Sequence, residues 1–114
     1  MNPQVKLHRI YLSGPITGVP DYQGRFEKAA EEINRVLGDS WVIMNPAVLP
    51  EGLTTAEYMI VDLQLVKAAD FIIMLPGWTE STGAKLEKLF AQYIGVKAYE
   101  YEDFMKIFGG HNNG

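Results

Sequence analysis

Phe71-Ile72-Ile73-Met74-Leu75, stopped by Pro76-Gly77, is the stretch on which the fold turns. It is continuously apolar and too short for a helix. That suits a central strand of a parallel sheet, covered on both faces. Just before it, Thr54 opens a helical pattern, with Glu57 three positions on as a capping box, and the pattern runs to about Ala69. Just after it, Ser81 or Thr82 starts another helix, which runs to Ile94 and ends at Gly95. Farther out, Leu7–Ser13 (L-H-R-I-Y-L-S) reads as a first strand, stopped by Gly14-Pro15. Asp21 is expected to cap a helix whose apolar positions are Phe26, Ala29, Ala30, Ile33, Val36 and Leu37, ended by Gly38. Trp41–Met44 is a short second strand closed by Asn45-Pro46, with a loop over Ala47–Leu53. Val96–Tyr101 is a fourth strand, and Asp103–Phe108 a short final helix.

This βαβαβαβα order predicts an α/β fold: a small doubly wound parallel sheet of about four strands, flanked by helices and Rossmann- or flavodoxin-like. Right-handed crossovers point to strand order 2-1-3-4. One domain is expected over residues 1–108, with Gly109-Gly110-His111-Asn112-Asn113-Gly114 a disordered tail. Ligands of such sheets bind outside the carboxyl ends of the strands, at the switch point. Function is therefore expected in Ser13–Asp21 and Pro76–Glu87.

Composition narrows the classes. The chain has 114 residues, a one-domain length, with 47% hydrophobic and 21% charged residues, which excludes a disordered chain. It has no cysteine, which removes disulfides, zinc ribbons, iron–sulfur clusters and thiol nucleophiles. The net charge of −4 is not the footprint of a general nucleic-acid binder. No apolar stretch approaches the ~20 residues of a membrane span, so no membrane association is expected. No charged-then-apolar leader opens the sequence, so no signal peptide is expected and the cytoplasm is the expected location.

Two carboxylates break the apolar pattern. At about 100° per residue, Asp62 falls in the middle of a stripe of Tyr58, Met59, Leu65, Val66 and Ala69, opposite Glu57, Gln64 and Lys67. In the next helix Glu87 shares a face with Gly83, Ala84, Phe90, Ala91 and Ile94, while Lys85, Lys88 and Gln92 point away. Inward carboxylates are costly unless paired or hydrogen-bonded. Either each accepts backbone N–H bonds at the sheet rim, or the two mark a functional site. The loop S-G-P-I-T-G-V-P-D (Ser13–Asp21) is rich in small and hydroxyl residues ahead of a helix N-terminus, where anions are favoured. It is neither a P-loop nor G-x-G-x-x-G. Arg25, in the first helical turn, either reaches a phosphate or is a solvated surface residue. Trp78 either stacks on a base or covers the core. Tyr11 lies within possible reach of Glu87. His8 and His111 are placed for neither a metal site nor a triad, so no metal is expected.

Together these residues resemble the nucleoside 2-deoxyribosyltransferase superfamily. Y-L-S-G-P-I-T-G (Tyr11–Gly18) looks like its first strand and loop, and D-L-Q-L-V-K-A-A-D (Asp62–Asp70) is similar to its helix-then-strand segment. S-T-G-A-K-L-E (Ser81–Glu87) resembles the run that carries its catalytic glutamate. The likeness is nearest to short phage-associated members. It implies that Glu87 attacks the anomeric carbon of a 2-deoxyribosyl group, Asp62 protonates or holds the departing base, and Tyr11 positions the glutamate. It also implies the logic of a retaining glycosidase, with no metal or cofactor. The implied substrate-binding residues are Ser13, Gly14, Pro15, Ile16, Thr17 and Gly18, with Arg25, Asn45, Gly77, Trp78, Ser81 and Gly83.

Ser81 stands where the transferases usually have a sugar-binding aspartate. The related 2-deoxynucleoside 5-phosphate N-hydrolases have a serine there, used with the first loop to hold a phosphate. Ser81 with Ser13, Gly14, Thr17 and Gly18 therefore points to a nucleotide substrate with water as acceptor. The family's C-terminal segment, which helps complete a neighbouring subunit's site, is brief here, which also argues against transfer between bases. The readings carried forward are an N-glycosidase of deoxynucleoside monophosphates or nucleosides, a non-catalytic nucleotide-binding or sequestering module, and a protein-interaction module. A homo-oligomer, dimer or larger, is expected because the second helix is apolar almost all round, with Ile60, Val61 and Leu63 off the main stripe.

Overall fold

The computed structural model describes residues 8–109. Strands β1 (His8–Ser13), β2 (Trp41–Met44), β3 (Phe71–Met74) and β4 (Lys97–Glu100) form one parallel sheet in the order β2-β1-β3-β4. Helices α1 (Tyr22–Leu37), α2 (Thr55–Ala68) and α3 (Thr82–Ile94) are the crossovers, and a short α4 (Tyr101–Phe104) runs into a π-turn over Met105–Gly109. The predicted α/β class and strand order are those observed. The expected tail beyond Gly109 lies outside the described residues.

The period of two along each strand sorts the core into two layers. Ile10, Leu12, Ile73 and Leu75 point to one face, where Phe26, Ala29 and Ile33 of α1 and Phe104 of α4 cover them. Tyr11, Ile72 and Met74 point to the other, under Val66 of α2 and Ala84 and Ala91 of α3. Ser13 is two residues on from Tyr11 and fully buried, so it continues the second face at the carboxyl end of β1.

Local signals explain most boundaries. The Thr54 hydroxyl accepts the Glu57 N–H at 3.1 Å, and the Glu57 carboxylate accepts the Thr54 N–H at 2.8 Å. Gly95 ends α3 with φ 84°, and the Val96 N–H reaches back to the Ala91 carbonyl. That bond holds Val96 to the helix end, so β4 starts at Lys97 rather than Val96. The last helix begins at Tyr101, two residues before its expected start, directly from β4. Asp21 precedes α1 but makes no side-chain cap. Its φ is 54°, a left-handed conformation open to a short polar residue. Its carboxylate lies over Gly24, where a Cβ would come within 2.5 Å of it.

Thr54→Ala removes one side of the capping box. It is expected to lower the unfolding free energy by about 1 kcal/mol, with an unchanged m-value in urea denaturation.

Candidate functional site

The α2–α3 face brings four polar side chains together under the carboxyl rim of the sheet. Tyr11 and Ser13 come from β1, Asp62 from the middle of α2 and Glu87 from the second turn of α3. All are buried, with Tyr11 and Ser13 at 0% exposure, Glu87 at 5% and Asp62 at 7%. The Ser13 hydroxyl donates to Glu87 Oε1 at 2.7 Å. The Tyr11 hydroxyl and Asp62 Oδ1 are buried with no hydrogen-bond partner among the described residues. Buried polar atoms of native proteins are nearly always satisfied, so two orphans side by side are notable.

The electrostatics follow from burial. Glu87 is pushed up to about 8, chiefly by desolvation and further by the Asp62 charge, while the Ser13 hydrogen bond opposes the rise. Asp62 is raised as well, again mainly by burial, with its contacts to Glu87 and Tyr11 pulling the other way. Tyr11 is held far above the usual phenol range by burial and by both carboxylates. Two acids this close in a poorly solvated site resist a double negative charge. Loss of the first proton therefore leaves a singly ionised pair before the second is lost. That is the state in which one group donates a proton while the other attacks or stabilises a cation.

The loops above the cluster have mixed roles. Gly14 is packed: a Cβ there would meet Leu75 Cβ at 3.0 Å and Phe26 Cζ at 3.4 Å. The chain then turns, closed by the Val19 N–H on the Ile16 carbonyl, with Gly18 at φ 74° and Thr17 and Gly18 exposed at the tip. Ile16 packs on the α1 face. Gly77 has φ 89° and abuts Pro15, which joins the first and third loops. The Ser81 hydroxyl accepts the Ala84 N–H at 3.1 Å and caps α3. Gly83 faces Met59 across the α2–α3 contact at an ordinary distance.

Three expected site residues are tied elsewhere. Trp78 covers the core edge, with its indole N–H on Glu100 at 3.3 Å and the Lys88 ammonium 4.4 Å from its ring centre. Asn45 accepts the Ala47 N–H at 2.9 Å and caps a short 3-10 turn. Arg25 lines a cavity on the α1 face. Asp70, the second aspartate of the quoted run, accepts the Arg9 N–H at 2.7 Å at the amino end of the sheet, away from the cluster. Sequence reasoning missed the Ser13–Glu87 bond. Its one available signal was that Ser13 shares Tyr11's parity.

The sequence matches the family described as Domain of unknown function (DUF4406) over residues 8–100, and the chain belongs to that family. No curated protein matches it significantly. Among solved structures it is similar to a 2-desoxiribosyltransferase from Leishmania mexicana, with a TM-score of 0.65 and 18% identity over 82% of this chain. The chain covers 63% of that protein's length. The shared architecture is the fold expected above.

Two outcomes test this electrostatic picture. Glu87 binds its proton more tightly folded than unfolded, so stability is greatest below its unfolded value and falls as pH rises towards about 8. Glu87→Gln is expected to flatten that fall in urea titrations across the range. Tyr11→Phe deletes an unsatisfied hydroxyl and is expected to raise stability by about 1 kcal/mol. A loss of similar size in thermal or urea unfolding would mean that the hydroxyl is already well bonded.

Proposed function

We propose that this chain is an N-glycosidase that cleaves the base–sugar bond of deoxynucleoside 5-monophosphates or deoxynucleosides. The observation that carries the reading is the buried Asp62–Glu87 pair, beside which the Tyr11 hydroxyl and Asp62 Oδ1 are buried without a hydrogen-bond partner among the described residues. The Glu87 carboxylate attacks the anomeric carbon. The glycosidic C–N bond breaks, its electron pair leaves with the base, and Asp62 supplies the proton. Water then attacks the same carbon, the ester to Glu87 opens, and the water's proton passes to Asp62. Ser13 is a positioning residue: its hydrogen bond aims one Glu87 oxygen and favours the ionised form. No metal or cofactor takes part in this scheme.

Support for a phosphate on the substrate comes from the loops. Thr17 and Gly18 are exposed at the tip of the first loop, and the first turn of α3 directs N–H groups outward beyond the Ser81 cap. A 2-desoxiribosyltransferase as fold neighbour agrees with sugar–base chemistry. One observation favours a second reading, a binding module without turnover. A glutamic acid raised to about 8 is largely protonated at neutral pH, a state that donates a hydrogen bond rather than attacks.

Chromatography of free base from a panel of deoxynucleosides and their monophosphates separates the two. The glycosidase reading expects base release that falls at least ~10³-fold in Glu87→Ala and about 10²- to 10⁴-fold in Asp62→Asn. It also expects a bell-shaped pH profile of kcat/KM. Activity is lost on the acid side as the carboxylate pair takes up its second proton and on the alkaline side as it loses its last one. A binding module gives no release from any substrate, and its binding survives Glu87→Gln.

The active form is a homo-oligomer, joined through the outer face of α2 and α3. Leu86, Leu89 and Tyr93 form an exposed stripe on α3, and Ile60 is exposed on α2, with Tyr93 at 89% exposure and Ile60 at 64%. Apolar side chains in such a row need a partner, and a two-fold axis lets the stripe cover itself. Sedimentation velocity at micromolar concentration should show a dimer or larger, and Leu89→Glu should shift it to monomer. A monomeric wild-type chain would contradict the assembly.

A further inference from the structure

A cavity of about 340 Å³ opens on the opposite side of the sheet from the carboxylate pair, between α1 and the start of α4. That is within the size range of small-molecule sites, from about 300 Å³ upward. Its floor is apolar: Phe26 and Ala29 of α1 and Leu75 just after β3. Leu75 belongs to the core layer under α1, whereas Tyr11 belongs to the layer under α2 and α3. The sheet therefore separates this cavity from the carboxylates. Its rim includes Pro15 and Pro76, from the same two loops that roof the other site.

The polar groups of the cavity are arranged by sign. Arg25 and Lys28, three residues apart on α1, stand at one end, and neither has an ion-pair partner among the described residues. Glu32 stands one turn beyond Lys28, ~6 Å along the helix axis, and ~10 Å beyond Arg25. Its carboxylate accepts the Tyr101 hydroxyl and is half-buried, leaving the other carboxylate oxygen as an acceptor. An apolar slot with two free cations at one end and a carboxylate at the other is complementary to one kind of molecule.

We propose that this cavity is a second small-molecule site, taking a flat-ringed anion that carries an N–H donor at the end remote from its charge. Arg25 and Lys28 hold the anion, the ring lies against Phe26 and Leu75, and the donor reaches Glu32. A nucleoside monophosphate and an aromatic amino carboxylate share this chemistry. The proposal does not depend on glycosidase activity.

The test is an amide NMR titration of the full chain labelled with ¹⁵N. The probes are adenosine 5-monophosphate, 4-aminobenzoate and, as the donor-free control, benzoate. At least one of the first two is expected to give saturable shifts centred on Phe26, Ala29, Glu32 and Tyr101. Which one does so tells whether phosphate or carboxylate is preferred. Charge reversal in Arg25→Glu/Lys28→Glu, at two exposed positions, is expected to weaken that binding at least about tenfold. Where 4-aminobenzoate binds, benzoate is expected to bind more weakly. Glu87→Ala is expected to leave the cavity shifts unchanged, so failure of the glycosidase reading leaves this result intact. The proposal is overturned if neither probe gives saturable shifts, if the shifts fall only around Ser13, Asp62 and Glu87, or if charge reversal leaves binding unaltered.

Discussion

The hydrogen bond from Ser13 to Glu87 joins the last residue of β1 to the second turn of α3, across the part of the sheet where β1 and β3 are neighbours. At 2.7 Å it ties the buried carboxylate pair to the sheet. Around it the fold accepts unfavourable electrostatics: two acids and a phenol share a desolvated space, and each is shifted towards its neutral form. An apolar triad of similar size would pack there without that penalty. Retaining the polar set suits a site whose remaining partners come from a ligand.

The rest of the architecture serves this placement. The short apolar β3 lies in the sheet interior, and its pairing with β1 sets α2 and α3 side by side on one face. Capping fixes where each helix begins. The Thr54–Glu57 box starts α2, and Ser81 starts α3. A fixed start sets the phase, and the phase turns Asp62 and Glu87 inward. Gly14 lets the first loop lie close on Leu75, and Gly77 supplies the left-handed turn that meets Pro15. The two loops therefore rest on each other above the pair.

Much of this was legible in the residues themselves. The apolar run at Phe71, the Thr54 box and the Gly95 stop are local signals with local physics, and they lead to the observed strand order. Helical periodicity alone marked Asp62 and Glu87 as inward. What was not legible depends on contacts between distant segments. Ser13 looked like a loop hydroxyl free for phosphate, and only the parallel pairing of β1 with β3 shows that it meets Glu87. Trp78 had two open readings, and the position of Lys88 and Glu100 around it ties its ring to the core edge. Asp21 had the residue type of a cap, but its left-handed backbone turns the side chain over Gly24. The α1–α4 cavity has no sequence signature, because its walls come from four separate stretches.

The central claim is that Asp62 and Glu87 form one coupled, desolvated acid pair. A carbon-detected NMR titration of the two side-chain carboxyl groups in the wild-type chain tests it most directly. The account expects both to titrate above the ordinary carboxylate range, with Glu87 near 8 and each curve showing the other's step. Two independent transitions at ordinary carboxylate values, near pH ~4, would contradict it.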